Sequence, residues 1–243
     1  MARTRLFVGT SGWTYDDWQG PFYPEDVTGP ERLAFYAQKF NTVEVNATFY
    51  RLPTANMIHA WNRRLGAGFH LVLKGSRMVT HRKKLADCDE ALAALLDRVR
   101  DLKRLKVILW QLPPSLHKDV ARLEDFLSCL PGEVRYAVEF RHASWWDDEV
   151  AEALARHRAA FVSVSHPTLP EEIVPTTDFL YLRFHGKGRQ LYRYDYSDEE
   201  LRQWARRIAQ HRRGRRVYAF FNNDYHAYAP KNALRLRELL EKM

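Results

Sequence analysis

With 243 residues, 46% of them hydrophobic and 28% charged, the chain has the make-up of one folded α/β domain and not of a disordered protein. No apolar run approaches the ~20 residues of a membrane span, and the run after Arg3 and Arg5 ends at Gly9, too short for a signal peptide. Two cysteines without metal-type spacing point to a reducing, cytoplasmic compartment, and the net charge of +8 points to anionic partners.

Eight short apolar runs are predicted strands. The first is LFVG (Leu6 to Gly9), followed by TVEVN (Thr42 to Asn46), FHLVLK (Phe69 to Lys74) and VILWQ (Val107 to Gln111). YAVEFR (Tyr136 to Arg141), FVSVS (Phe161 to Ser165), FLYLRFHG (Phe179 to Gly186) and VYAFFNND (Val217 to Asp224) complete the set. Helical patterns lie between them. Pro30 suits a first helical turn before Leu33, Tyr36, Ala37 and Phe40. Leu92, Leu95, Val99 and Leu102 form one apolar stripe, and Val120, Leu123, Leu127 and Leu130 form another. Leu201, Trp204 and Ile208 follow Ser197 and Glu200, which have capping-box spacing. The sixth unit, HPTLPEEIVP (His166 to Pro175), carries three prolines and allows at most one turn, so its helix is short or degenerate. Eight alternating units over this length predict a (β/α)8 TIM barrel with its site at the strand C-termini. No linker or repeat interrupts residues 1–243, which predicts a single domain.

Side chains alternate across a strand, which assigns each one a face. Val43 and Val45 suit the helix-covered outer face, so Glu44 and Asn46 point into the barrel. Glu139 points inward between Val138 and Phe140, and Tyr181, Arg183 and His185 make an inward row. Buried carboxylates need partners, and Lys74, Arg141 and Arg183 are available. Glu44 and Glu139 then either tie strands together as ion pairs or divide acid and base roles, one pushed towards neutrality by burial.

The polar strand ends occur in a recognisable order. GTSGWTYDDWQGPFYP, TVEVNATFYRLP, the string Lys74, Arg77, Thr80 and His81, then QLPPS, EFRHASWW, LRFHG and FFNND resemble the YecE-like family, domain-of-unknown-function family seventy-two. The resemblance runs from Val8 to about Leu240. It implies a (β/α)8 barrel of bacterial and archaeal cytoplasm, with no established activity. The matching positions are Gly9 to Trp13, Glu44, Asn46, Phe49 to Arg51, Lys74, Thr80, His81 and Gln111 to Pro114. Glu139, Arg141, His142, Trp145, Arg183, His185, Gly186 and Asn222 to Asp224 complete them.

Cations gather at the strand ends and in the loops that follow: Arg51, Lys74, Arg77, Arg82, Lys83, Lys84, Arg141, Arg183, Lys187, Arg189 and Arg193. A basic mouth concentrates phosphates, nucleotides or nucleic acid. The run from Arg206 to Arg216 leads into strand eight at the opposite face and reads as a solvated rim. Trp18, Phe22 and Tyr23 read as packing for the first loop, whereas Tyr50, Trp145 and Tyr192 neighbour cations and read as ligand-stacking rings. Gly9 and Gly12 match neither a dinucleotide nor a P-loop signature, so no cofactor is expected.

Glu44, Glu139, His185 and Asp224 sit at four strand ends and set up a metal-dependent alternative like that of endonuclease IV. Neighbouring cations oppose it, and no paired-His motif supports it. A retaining glycosidase expects carboxylates where Gln111 and His185 stand. Lys74 as a Schiff-base lysine is a further alternative. The expected catalytic set is therefore Glu44, Glu139, Lys74 and His185, without metal. Ser11, Trp13, Asn46, Tyr50, Arg51, Arg77, His81, Gln111, Arg141, His142, Trp145, Arg183, Tyr192, Asn222, Asn223 and Asp224 are the expected ligand contacts. The expected partner is an anionic small molecule or nucleic acid. Either the protein is an enzyme using acid/base chemistry, or it binds nucleic acid or a phosphorylated ligand without catalysis.

Overall fold

A computed structural model describes residues 6–188 and 190–243; Arg3, Arg5 and Arg189 lie outside the described residues. The eight strands are β1 (Leu6–Thr10), β2 (Thr42–Val45), β3 (His70–Lys74), β4 (Leu105–Gln111), β5 (Arg135–Glu139), β6 (Ala159–Ser165), β7 (Phe179–Phe184) and β8 (Arg216–Phe221). They pair in parallel in the order β1-β8-β7-β6-β5-β4-β3-β2. Among the described residues β1 and β2 are joined by one ladder bridge, Ser11 to Glu44, reinforced by Gly12 N–H donating to Glu44 O at 2.8 Å. Lower on the same seam Asn41 Nδ2 donates to Leu6 O at 2.9 Å. Gly9 allows the two strands to approach, because a Cβ there would stand 2.5 Å from Thr42 O.

Among the described residues eight α-helices accompany the strands: α1 (Arg32–Lys39), α2 (Ala47–Tyr50), α3 (Ala55–Arg64), α4 (Asp89–Val99), α5 (Val120–Ser128), α6 (Asp148–Arg156), α7 (Asp198–His211) and α8 (Tyr228–Glu241). The stripes read from the sequence face the core: Leu92, Leu95 and Val99 on α4, Leu123 and Leu127 on α5, and Leu201, Trp204 and Ile208 on α7 are buried, while Val120 and Leu130 at the two ends of the α5 stripe are partly buried. The Ser197–Glu200 capping box opens α7. Pro30 lies just ahead of α1, whose N-cap is Glu31. Residues 166–178, between β6 and β7, form no helix at all. Pro167, Pro170 and Pro175 remove three amide donors from that segment.

Apolar packing is in two layers. The barrel interior holds Phe7, Val72, Val107, Leu109, Val162, Val164, Phe179 and Phe220, while the larger outer cluster joins strands to helices. The interior apolar layers stop below the strand C-termini. Above them come Glu44, Glu139, Arg183 and His185, all buried.

Candidate active site

Arg183 lies at the centre of the polar layer. Its Nη2 donates to Glu44 Oε1 and its Nη1 to Glu139 Oε2, each at 2.6 Å. One guanidinium thus bridges carboxylates from β2 and β5, one Nη donor to each, as the fixed fork of arginine allows. Glu44 also accepts from Ser11 Oγ at 2.7 Å and from the Tyr181 hydroxyl at 2.5 Å. Glu139 Oε1 accepts from Arg141 Nε and lies 3.4 Å from His185 Nε2. Arg141 Nη2 donates to that same nitrogen at 3.0 Å, and Asn222 Nδ2 is 3.3 Å from His185 Nδ1.

Protonation follows from this pairing. Burial pushes the Glu139 carboxyl up, but Arg141 and Arg183 override it and hold the group well below the usual carboxylate range. It is a charged anchor and not a proton donor at neutral pH. Burial, reinforced by Arg141, pushes His185 down to about 3, so its imidazole is neutral. The expected division of the two glutamates into acid and base is not what the geometry builds, since arginine holds both.

Lys74 differs from these groups. It ends β3 half-buried, and among the described residues its Nζ has no carboxylate within ion-pair distance. Its Nζ lies 4.1 Å from the centre of the Phe49 ring. Burial, helped by Arg183, pushes its ammonium down to about 8. Two local devices place it. Thr48 Oγ1 donates to Lys74 O at 2.7 Å, tying α2, and with it Phe49, to the end of β3. Gly75 then lets the chain pass over Trp110, whose ring lies 2.2 Å from where a Cβ would sit. A single π-helical turn follows, Met78–Arg82, and swings His81 edge-on to Phe49 with ring centres 4.9 Å apart. His81 Nδ1 meets Thr80 Oγ1 at 2.9 Å. Burial and the nearby Lys74 lower its pKa.

The remaining expected contacts divide. Asn46 caps the one-turn helix α2, with Oδ1 buried and unpartnered among the described residues. Tyr50 is 66% exposed beside Arg77, whose guanidinium is 5.8 Å from the ring centre, and Arg51 is exposed next to them. Tyr192, in a left-handed conformation at φ 73°, is half-exposed with its ring 6.0 Å from His185. His142 stacks on His117 at 3.8 Å. Four residues are spent on structure. Trp145 is buried, stacked on Phe140 at 4.5 Å, with Nε1 donating to Leu116 O, so it belongs to the outer core. Asn223 is buried and donates to Tyr194 O and Asn232 Oδ1. Gln111 donates to Leu112 O, and Trp13 packs edge-on to Trp61. Asp224 takes Trp18 Nε1 on its backbone oxygen, while burial raises its carboxyl pKa.

No three His, Cys, Asp or Glu side chains are grouped as a metal would need among the described residues. The Glu44 and Glu139 oxygens already bind arginine, which works against the metal-dependent alternative. A cavity of about 620 Å³ lies at the opposite end of the barrel, lined in part by Arg135, His157, Arg158 and Asp178. It touches none of these site residues.

The family model described as "Protein of unknown function DUF72" matches residues 7–243. The chain belongs to the DUF72 family. It is 26% identical to UPF0759 protein YecE of Escherichia coli K12 over 98% of this chain and 93% of that one. It is 25% identical to UPF0759 protein YunF of Bacillus subtilis over 97% and 95%. The crystal structure of a DUF72 family protein from Thermotoga maritima superposes with a TM-score of 0.88, at 33% identity, covering 98% and 99% of the two chains.

In this DUF72 protein two site residues escaped the expected set. Tyr181 anchors Glu44, and strand parity signals it, because it stands two residues before Arg183 on β7. His166 follows β6, with its ring 6.1 Å from His185 and its pKa lowered by burial and then by Arg141. It sits in the proline-rich segment, where no periodicity assigns a direction. The basic run near β8 is largely engaged: Arg206 pairs with Glu199, Arg207 with Glu171 and Arg216 with Asp178. Trp18 and Tyr23 are fully buried, as packing for the first loop requires. No helix among the described residues is long and apolar enough to cross a membrane.

Proposed function

We propose that the barrel mouth is the active site of an enzyme that takes a small anionic substrate, a phosphorylated metabolite or nucleic-acid component, through acid/base chemistry. The observation that carries this is the unequal pairing of charge. Arg183 and Arg141 occupy the carboxylates, while Lys74 faces the mouth without one. An anion completes Lys74, and buried Asn46 Oδ1 offers an acceptor to a substrate hydroxyl. Proton transfer then falls to Lys74 and His81. Both have pKa values lowered towards the neutral form, and Glu139 is held as a fixed counter-charge. Calorimetry with inorganic phosphate tests the anion site. Lys74→Met is expected to weaken binding roughly tenfold, the loss of one charge-assisted contact. Unchanged affinity in that variant removes the proposal.

One observation favours a second reading, in which the mouth binds nucleic acid without catalysis. Tyr50 with Arg77 and Tyr225 with Arg193 are exposed ring–guanidinium pairs on the rim, suited to stacking bases. Salt separates the two. Binding through several phosphates weakens log-linearly with a slope of about −0.7 per phosphate on a single strand, whereas one phosphate in a pocket responds as a single charge.

A further inference from the structure

An amine at the end of a barrel strand is ordinarily held by a carboxylate, because an unpaired buried ammonium is costly. Around Lys74 that partner is withheld. Glu44 and Glu139 lie close enough to act on it electrostatically, but their oxygens are taken by Arg183, Arg141, Ser11 and Tyr181. The charges facing Lys74 are Arg183 and Arg141, which repel its proton, and the two glutamates, which attract it. Its Nζ rests on the Phe49 face. His81 meets the same ring edge-on and is anchored through Nδ1 to Thr80, which leaves Nε2 to exchange protons.

We propose that Lys74 is a nucleophile that forms an imine with the carbonyl carbon of an aldehyde or ketone bearing a phosphate or carboxylate. This deepens the anion-site reading and rests on it. The neutral Nζ attacks the carbonyl carbon, a C–N bond forms, and the C=O π pair moves to oxygen. A proton passes from nitrogen to that oxygen to give a carbinolamine. A second proton, relayed by His81, lets the hydroxyl leave as water while the nitrogen lone pair closes the C=N bond. The protonated imine then draws the electrons of the adjacent C–H bond while His81 Nε2, which has given up its proton in the dehydration, takes the released one. Reprotonation and water addition to the C=N bond return the amine, so the reaction class is proton abstraction next to a carbonyl. No oxidant or reductant is consumed. Burial and Arg183 bring the ammonium down from 10.5 to about 8. At pH 7 that raises the neutral fraction about 300-fold over an ordinary lysine.

Borohydride trapping with two probes tests the proposal on the wild-type protein. Pyridoxal 5′-phosphate supplies an aldehyde with a phosphate, and propanal supplies an aldehyde without charge. Both are expected to modify Lys74 on the order of a hundredfold faster than the exposed Lys103 at pH 7. Inorganic phosphate is expected to slow both probes, because it competes with the phosphorylated one and holds Lys74 as the non-nucleophilic ammonium, and Lys74→Met to remove the label from that peptide. Labelling of Lys74 no faster than Lys103 by either probe, with phosphate still bound, overturns the imine and leaves the anion site standing. Fast labelling by both probes with no effect of phosphate keeps the nucleophile and overturns the anion site.

Discussion

Arg183 is the residue on which the polar layer depends. Removing it leaves two buried carboxylates with one partner fewer each, and breaking a buried pair costs about 3–5 kcal/mol. Arg183→Met is therefore expected to lower the urea midpoint steeply, and a midpoint within error of wild type would show that the clamp is not structural. Glu139 sets the acid limit. Its folded pKa lies below the ordinary 4.5, so the unfolded chain binds the extra proton first. Stability from this group is present above 4.5 and is lost as pH falls through the folded value. Urea titrations between about pH 5 and 3 should show that decline, and Glu139→Gln should flatten it while lowering stability throughout. Parity alone told which side chains face inward: Glu44, Glu139, Arg183 and His185 all do. It was silent on which atoms pair, because one guanidinium reaching across from β7 to β2 and β5 is a property of barrel diameter. Trp145 went the other way for the same reason. It neighbours cations in sequence, but its ring turns into the outer core.

Elements, rather than single side chains, aim Lys74. The end of β3, helix α2 and the π-turn at Met78–Arg82 hold the lysine, its ring and its histidine together. Gly75 is the narrow point, with the buried Trp110 ring 2.2 Å from a would-be Cβ. Gly75→Ala is expected to cost about 1–3 kcal/mol through overpacking and to displace Lys74. Thermal denaturation together with phosphate affinity checks it, and a variant as stable and as tight as wild type would contradict this placement. Strand positions, helix stripes and the Ser197 cap were legible because each rests on a local period or on hydrogen-bonding chemistry that depends on spacing. Strand ends were not: β5, β7 and β8 stop at Glu139, Phe184 and Phe221, short of the expected Arg141, Gly186 and Asp224, where polar residues leave the ladder. That the segment after β6 holds at most one helical turn was legible from its prolines. The one-turn α2 was not, since ATFY carries no cap signal and is held by Thr48 bonding to β3.

At the scale of the molecule, the +8 charge is not spread evenly in its effect. On α6, α7 and α8 and at the foot of β8, Arg156, Arg202, Arg206, Arg216 and Arg235 all pair with carboxylates and so add little to the excess. Among the described residues the mouth keeps one cation in surplus, Lys74, because its carboxylates are bound by Arg183 and Arg141. That surplus is read most directly by following the Lys74 Cε resonance through a pH titration in a protein with isotope-labelled lysine, with and without inorganic phosphate. The expected midpoint is about 8 in the free protein, moving upward when phosphate binds and stabilises the ammonium. A midpoint near the ordinary 10.5, unmoved by phosphate, contradicts the account.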